Sequence, residues 1–164
     1  MGRKENAEEL IRQFGEDILN SYGMNIEKDC MQHGSVSVYE HSLMVAALCI
    51  EIAARCKIGA DMRALVRGAL LHDYFLYDWH EKDDSHKWHG FCHPRIAMNK
   101  ANADYGINPV EANIIHRHMF PLTPIPPKYK ESYLVSIMDK VCAIGEMLNI
   151  RYLSKSMRIE LGLD

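Results

Sequence analysis

The sequence predicts an all-α fold: one compact helical domain of about six to eight helices. Three observations predict it. Apolar residues recur at helical spacing along almost the whole chain. No stretch of useful length alternates apolar and polar residues as a half-buried strand would. The length, 164 residues with 48% apolar, suits a single core that needs no disulfides. We expect one domain over residues 1–164, with its core in residues 36–148. A helix at 7–22 and a tail at 149–164 should pack on that core.

The elements follow in order. Leu10, Ile11, Phe14, Ile18 and Leu19 share one face of a helix expected from Ala7 to Tyr22, which stops near Gly23. A second helix is expected over 38–56, capped by Ser35 or Ser37. Gly59 separates it from a third, over 61–74, with Asp61 as its cap. Residues 77–91, YDWHEKDDSHKWHGF, show no clean period and read as a polar, aromatic loop. Pro94 suits the first turn of the next helix, which runs to about Tyr105. Asn108-Pro109 opens another, through about His118. The segment PLTPIPPKYK holds four of the six prolines and must be irregular. A long apolar helix follows over 130–148, and the tail reads as a weaker amphipathic helix.

Charge and targeting signals narrow the function. A net charge of −3 argues against a broad basic face for nucleic acid or an anionic membrane. The longest apolar stretch is broken by Glu51 and Arg55, too short and too charged for a membrane span. The N-terminus has no apolar signal core. The five cysteines are odd in number and form no CxxC pair, as expected of free thiols in a reducing compartment. The chain is expected to be cytoplasmic.

The chemistry concentrates in histidines and two acids. Nine histidines are present, and His41, His72, His93, His116 and His118 fall in or beside helices. A buried neutral imidazole needs partners for both nitrogens, and several converging ones are better explained by a shared metal. Asp73 follows GALLH and precedes apolar Phe75 and Leu76, where an unpaired carboxylate would lose its hydration at high cost. Asp139 repeats this pattern inside YLVSIMDKVCAIGEM. Mixed imidazole and carboxylate donors suit Fe, Mn, Co, Ni or Zn better than Mg or Ca. On one helix His116 and His118 face apart, so one of the two is expected to join a shared site.

The ordered elements SVYEHSLMVA, ALLHDYFLYDW, HGFCHPRIAMNKA, IIHRHMFPLTP and SIMDKVCA resemble the HD-domain superfamily of metal-dependent phosphohydrolases over about residues 36–146. The arrangement is similar to the dinuclear type found in bacterial HD-type symmetric dinucleoside tetraphosphate hydrolases. It departs from them in HMFPLTP, where they carry a His-Thr pair. The resemblance implies metal ligands at His41, His72, Asp73, His93, His118 and Asp139, with His116 as the alternative to His118. Asp73 would bridge two divalent transition-metal ions, iron foremost. His72 and Asp73 would be the catalytic pair. The implied reaction is hydrolysis of a phosphate ester or anhydride of a small substrate, a nucleotide, by a metal-bridged hydroxide. His33, His89, Arg95 and Lys140 are candidate substrate contacts. A nucleotide monophosphatase and a metal- or nucleotide-binding sensor without turnover are the alternatives. Neither a nucleic acid polymer nor a membrane is expected as partner, and the chain is expected to be a monomer or homodimer.

Overall fold

In a computed structural model of the chain, the residues described are 6–33, 36–76, 89–150, 152 and 155–162. They form eight helices and one small hairpin. Helix α1 spans Ala7–Leu19 and α2 spans Tyr22–Asp29. Strands β1 (Met31–His33) and β2 (Val36–Ser37) pair antiparallel. Then come α3 (Val38–Arg55), α4 (Met62–Leu71), α5 (His89–Tyr105), α6 (Pro109–Arg117), α7 (Lys130–Met147) and α8 (Lys155–Glu160).

Local signals start most of these helices where the sequence implied. Ser37 caps α3 and Asn108 caps α6, each in a reciprocal box with the acid three residues on, Glu40 and Glu111. Asp61 caps α4 by accepting from the Ala64 amide. The differences are instructive. The single N-terminal helix expected over 7–22 is two helices, because the Ser21 side chain caps a new start at Tyr22. Helix α4 ends at Leu71 rather than Tyr74, so the His-Asp pair lies just past the helix. Helix α5 begins at His89, which leaves Pro94 inside it rather than in its first turn. The hairpin was invisible as alternation because its strands have three and two residues. Among the described residues of the tail, the helix is α8. The expected loop lies mostly at 77–88, outside the described residues.

Helix α3 runs through the middle and buries residues on nearly every side, from Leu43 to Ala47 without interruption. Helix α4 packs on it, and every residue from Ala64 to Leu71 is buried. Helices α1, α6 and α7 cover this pair, and α5 lies on α6. Arg67 is buried inside α4 and is held by Asp17 at 2.7 Å and the Phe14 carbonyl at 2.9 Å, tying α4 to α1. Cys49 and Cys142 are buried, and Cys49 belongs with Leu65 and Val135 to one apolar cluster. Among the described residues no helix is long and apolar enough to cross a membrane.

One close approach fixes the spacing of α4 and α6. A Cβ built on Gly68 would lie 2.5 Å from Ile114 Cδ1 and 2.9 Å from Ile114 Cβ. The two helices therefore meet nearly backbone to side chain. Gly68 is one turn before His72, and Ile114 is one turn before His118. Gly68→Ala should force these helices apart and destabilise the fold by about 1–3 kcal/mol, the usual cost of overpacking. Thermal unfolding checks this, at about 2–4 °C of Tm for each kcal/mol.

Candidate metal centre

The ends of four helices and the hairpin meet the middle of a fifth helix, α7, at one place. His41 stands in the first turns of α3, and His72 and His118 are the residues that close α4 and α6. Asp73 follows at once, His93 comes from α5, and Asp139 from the middle of α7. All six are buried, His41 and His72 completely. Helix C-termini carry partial negative charge, so α4 and α6 both favour a cation where they end.

His72 and His118 share a local motif that prepares each ring as a donor of electrons. His72 Nδ1 lies 2.7 Å from the Ala69 carbonyl, and His118 Nδ1 lies 2.8 Å from the Ile115 carbonyl. A carbonyl only accepts, so Nδ1 holds the proton in each neutral ring. The lone pair is left on Nε2, which faces the centre.

The carboxylate of Asp73 divides this centre in two. Its Oδ1 is 3.2 Å from His93 Nε2 and 3.3 Å from His118 Nε2. These two nitrogens are themselves 2.9 Å apart. Its Oδ2 is 3.4 Å from His72 Nε2, which is 3.6 Å from Asp139 Oδ1. Asp139 Oδ1 is in turn 3.1 Å from His41 Nε2. Two triads therefore have atoms close enough to hold an ion: His41, His72 and Asp73, and Asp73, His93 and His118.

The donor set fits a divalent transition metal. The Nε2 of His72 and the Oδ1 of Asp73 are buried with no hydrogen-bond partner among the described residues. His118 turns its Nε2 lone pair toward His93 Nε2 at 2.9 Å, so either an N–H of His93 or a cation must lie between them. Separations of this size also occur between neighbouring ligands bound at about 2.0–2.2 Å to one ion.

Protons and a metal compete for these rings. Burial lowers the pKa of His72, but the Asp73 charge and Asp139 raise it, so a protonated His72 balances the two acids. An ion at this place would displace that proton from Nε2. Burial works against an ionised Asp73, but the His72 charge and the close His118 and His93 rings hold its pKa well below the usual carboxylate range. Burial likewise opposes ionised Asp139, and His41 and His72 override it. Burial pushes the His41 imidazole down, yet Asp139 and Glu146 raise it to about 10. Burial also lowers His118, only partly offset by Asp73. The protein thus concentrates negative charge and lone pairs where α4 and α6 end.

Three residues of this region escaped the sequence reading. Glu146 grips His41 Nδ1 with both oxygens, at 2.8 and 3.1 Å, and so orients that ring from behind. Gln32, from β1, donates its amide N–H to Asp73 Oδ2. Glu27, on α2, is fully buried with neither carboxyl oxygen hydrogen-bonded among the described residues. Burial, reinforced by the Asp73 charge, pushes its pKa well above the usual value. The only signal for Glu27 was an acid in an amphipathic helix, which normally marks a solvated face.

The expected substrate contacts separate. Arg95 is exposed on α5. Lys140 Nζ donates to the carbonyls of His118 at 2.7 Å and Ser136 at 3.0 Å, and lies 3.6 Å from Asp139. His33 falls in β1 and His89 opens α5, and both side chains lie outside the described residues. Of the two histidines left as alternatives, His118 joins the Asp73–His93 triad. His116 stays half-buried, its pKa lowered by burial and by Arg117 and Arg95.

A sequence model of the HD domain matches residues 38–144, more than half of the chain, and the chain therefore belongs to the HD-domain family. This is a superfamily of metal-dependent phosphohydrolases, and the clustered histidines and aspartates suit its metal site. No curated protein and no solved structure matches the chain.

Glu27 gives the site a measurable pH signature. Its folded pKa lies above its unfolded value, so the folded state holds a proton that the unfolded chain releases. The stability it permits is present below pH about 4.5 and falls as pH rises toward the folded pKa. In chelator-treated protein, Glu27→Gln should therefore raise Tm over wild type, by a margin that grows as the pH rises above about 4.5. Thermal scans from acid to neutral pH check it, and a margin that shrinks with rising pH contradicts it.

Proposed function

We propose that this protein hydrolyses a phosphate ester or anhydride of a nucleotide at a pair of divalent transition-metal ions, with iron the first choice. The observation that carries this reading is the division of Asp73. One carboxylate oxygen faces His93 and His118, while the other faces His72 beside Asp139 and His41. In this reading His41, His72, Asp139 and Asp73 would hold one ion. Asp73, His93 and His118 would hold the other. Bound ions of this kind supply Lewis acidity to phosphoryl oxygens and acidify the attacking water toward neutral pH.

The chain's own contribution is preorganisation. Carbonyls of Ala69 and Ile115 keep the Nε2 lone pairs of His72 and His118 turned inward. Glu146 fixes the His41 ring. Lys140 and Ser136 hold the His118 carbonyl against α7, so the turn bearing His118 cannot drift. Burial of all six side chains keeps bulk water from screening the charges they organise. Arg95, close enough to His116 to lower its pKa, supplies positive charge for non-reacting phosphates. His33 and His89 remain substrate contacts in this reading.

Elemental analysis of protein purified without added metal, followed by a panel of phosphorylated substrates, tests the proposal. Two transition-metal ions per chain and turnover of a nucleotide ester or anhydride are expected. Asp73→Ala should lose both metal and turnover. A variant that kept full metal content and full activity would overturn the reading.

A further inference from the structure

Gln32 is 8% exposed, and its two amide atoms have unequal fates. The residue lies 41 positions before Asp73 and reaches it from β1. An ionised carboxylate can only accept, so the atom facing Asp73 Oδ2 must be the amide nitrogen. The amide oxygen, Oε1, then points elsewhere, and it is buried with no hydrogen-bond partner among the described residues. A buried acceptor left unmatched is costly, and here an apolar side chain of similar size would avoid that cost.

Both halves of the amide acquire a use if the centre works as proposed. The N–H takes one lone pair of Asp73 Oδ2. It thereby fixes the rotation of the carboxylate, which keeps Oδ1 directed at His93 and His118. His72, 3.4 Å from Oδ2, is too distant for a normal hydrogen bond and leaves that rotation free. Oε1 is on the same short planar group, so an atom close to Asp73 can donate to it. The attacking water is the hydrogen-bond donor that hydrolysis itself brings to this place.

We propose that Gln32 is a positioning residue for the hydrolytic reaction: its N–H sets the orientation of Asp73, and its Oε1 accepts a hydrogen bond from the attacking water. This rests on the metal-dependent hydrolysis proposed above. The residue therefore acts on metal retention and on turnover, and not on affinity for the rest of the substrate.

The test compares wild type with Gln32→Met, which preserves length while removing donor and acceptor. Metal affinity is measured by titration with a chelating competitor, and kcat and KM are measured at saturating metal. Gln32→Met should bind metal about 10–100-fold more weakly, the usual consequence of losing a group that orients a ligand. At saturating metal kcat should still fall while KM stays within about twofold, because the water contact acts in the chemical step. If Gln32→Met does not fold, Gln32→Leu carries the test. It too removes both donor and acceptor in a smaller side chain, and should also weaken metal binding and lower kcat. Wild-type metal affinity and wild-type kcat in a folded variant overturn the role of Gln32 alone. A wild-type protein that holds no metal and turns over no phosphorylated substrate overturns the reading beneath it as well.

Discussion

The carboxylate of Asp73 is 2% exposed, and a buried charge without partners would be too costly for a fold of this size to hold. The structure meets that cost from several directions at once. His93 and His118 approach one oxygen, while Gln32 and His72 approach the other. These four residues come from four different elements, so the position of Asp73 and the assembly of the helices are one problem. A chain that misplaced α5 or α6 by an ångström would leave the acid uncompensated.

Helix ends solve the assembly problem. Helices α4 and α6 each stop at a histidine whose Nδ1 returns to a carbonyl of its own last turn. The same event terminates the helix and aims the ring. The contact between Gly68 and Ile114, one turn earlier on each helix, brings the two ends together, with the His72 and His118 rings 4.9 Å apart. Packing inside the core thus translates into distance at the site. Lys140 joins the arrangement from α7 by donating its protons to the His118 and Ser136 carbonyls. A cation that holds a ligand's backbone in place leaves less charge free for a substrate.

Much of the site was legible because it consists of residue types that rarely tolerate burial. Asp73 and Asp139 stood out as acids in apolar runs, and both are buried beside imidazoles. Gln32, Glu27 and Glu146 did not stand out. A glutamine in a short strand, or an acid in an amphipathic helix, looks the same whether it faces water or a charge. Their significance lies in contacts across long separations, 105 residues between His41 and Glu146. The break between α1 and α2 escaped for another reason. Ser21 competes as a cap inside an otherwise continuous apolar pattern, and hydrophobic spacing is blind to that competition.

By itself the sequence determined the all-α class, the cap at Asp61, a start for α3 at Ser35 or Ser37, a start for α6 at Asn108-Pro109, and a set of histidines and acids as candidates for binding a metal. These depend on local backbone chemistry and on the cost of burying a charge, both of which can be read from neighbours in the chain. Tertiary structure alone decided that His118 rather than His116 turns toward Asp73, and that the two oxygens of Asp73 face different histidines. It also decided that Gln32 and Glu146 stand behind the ligands. Those outcomes depend on the angle at which separate helices end beside one another, which side-chain packing sets and sequence spacing does not.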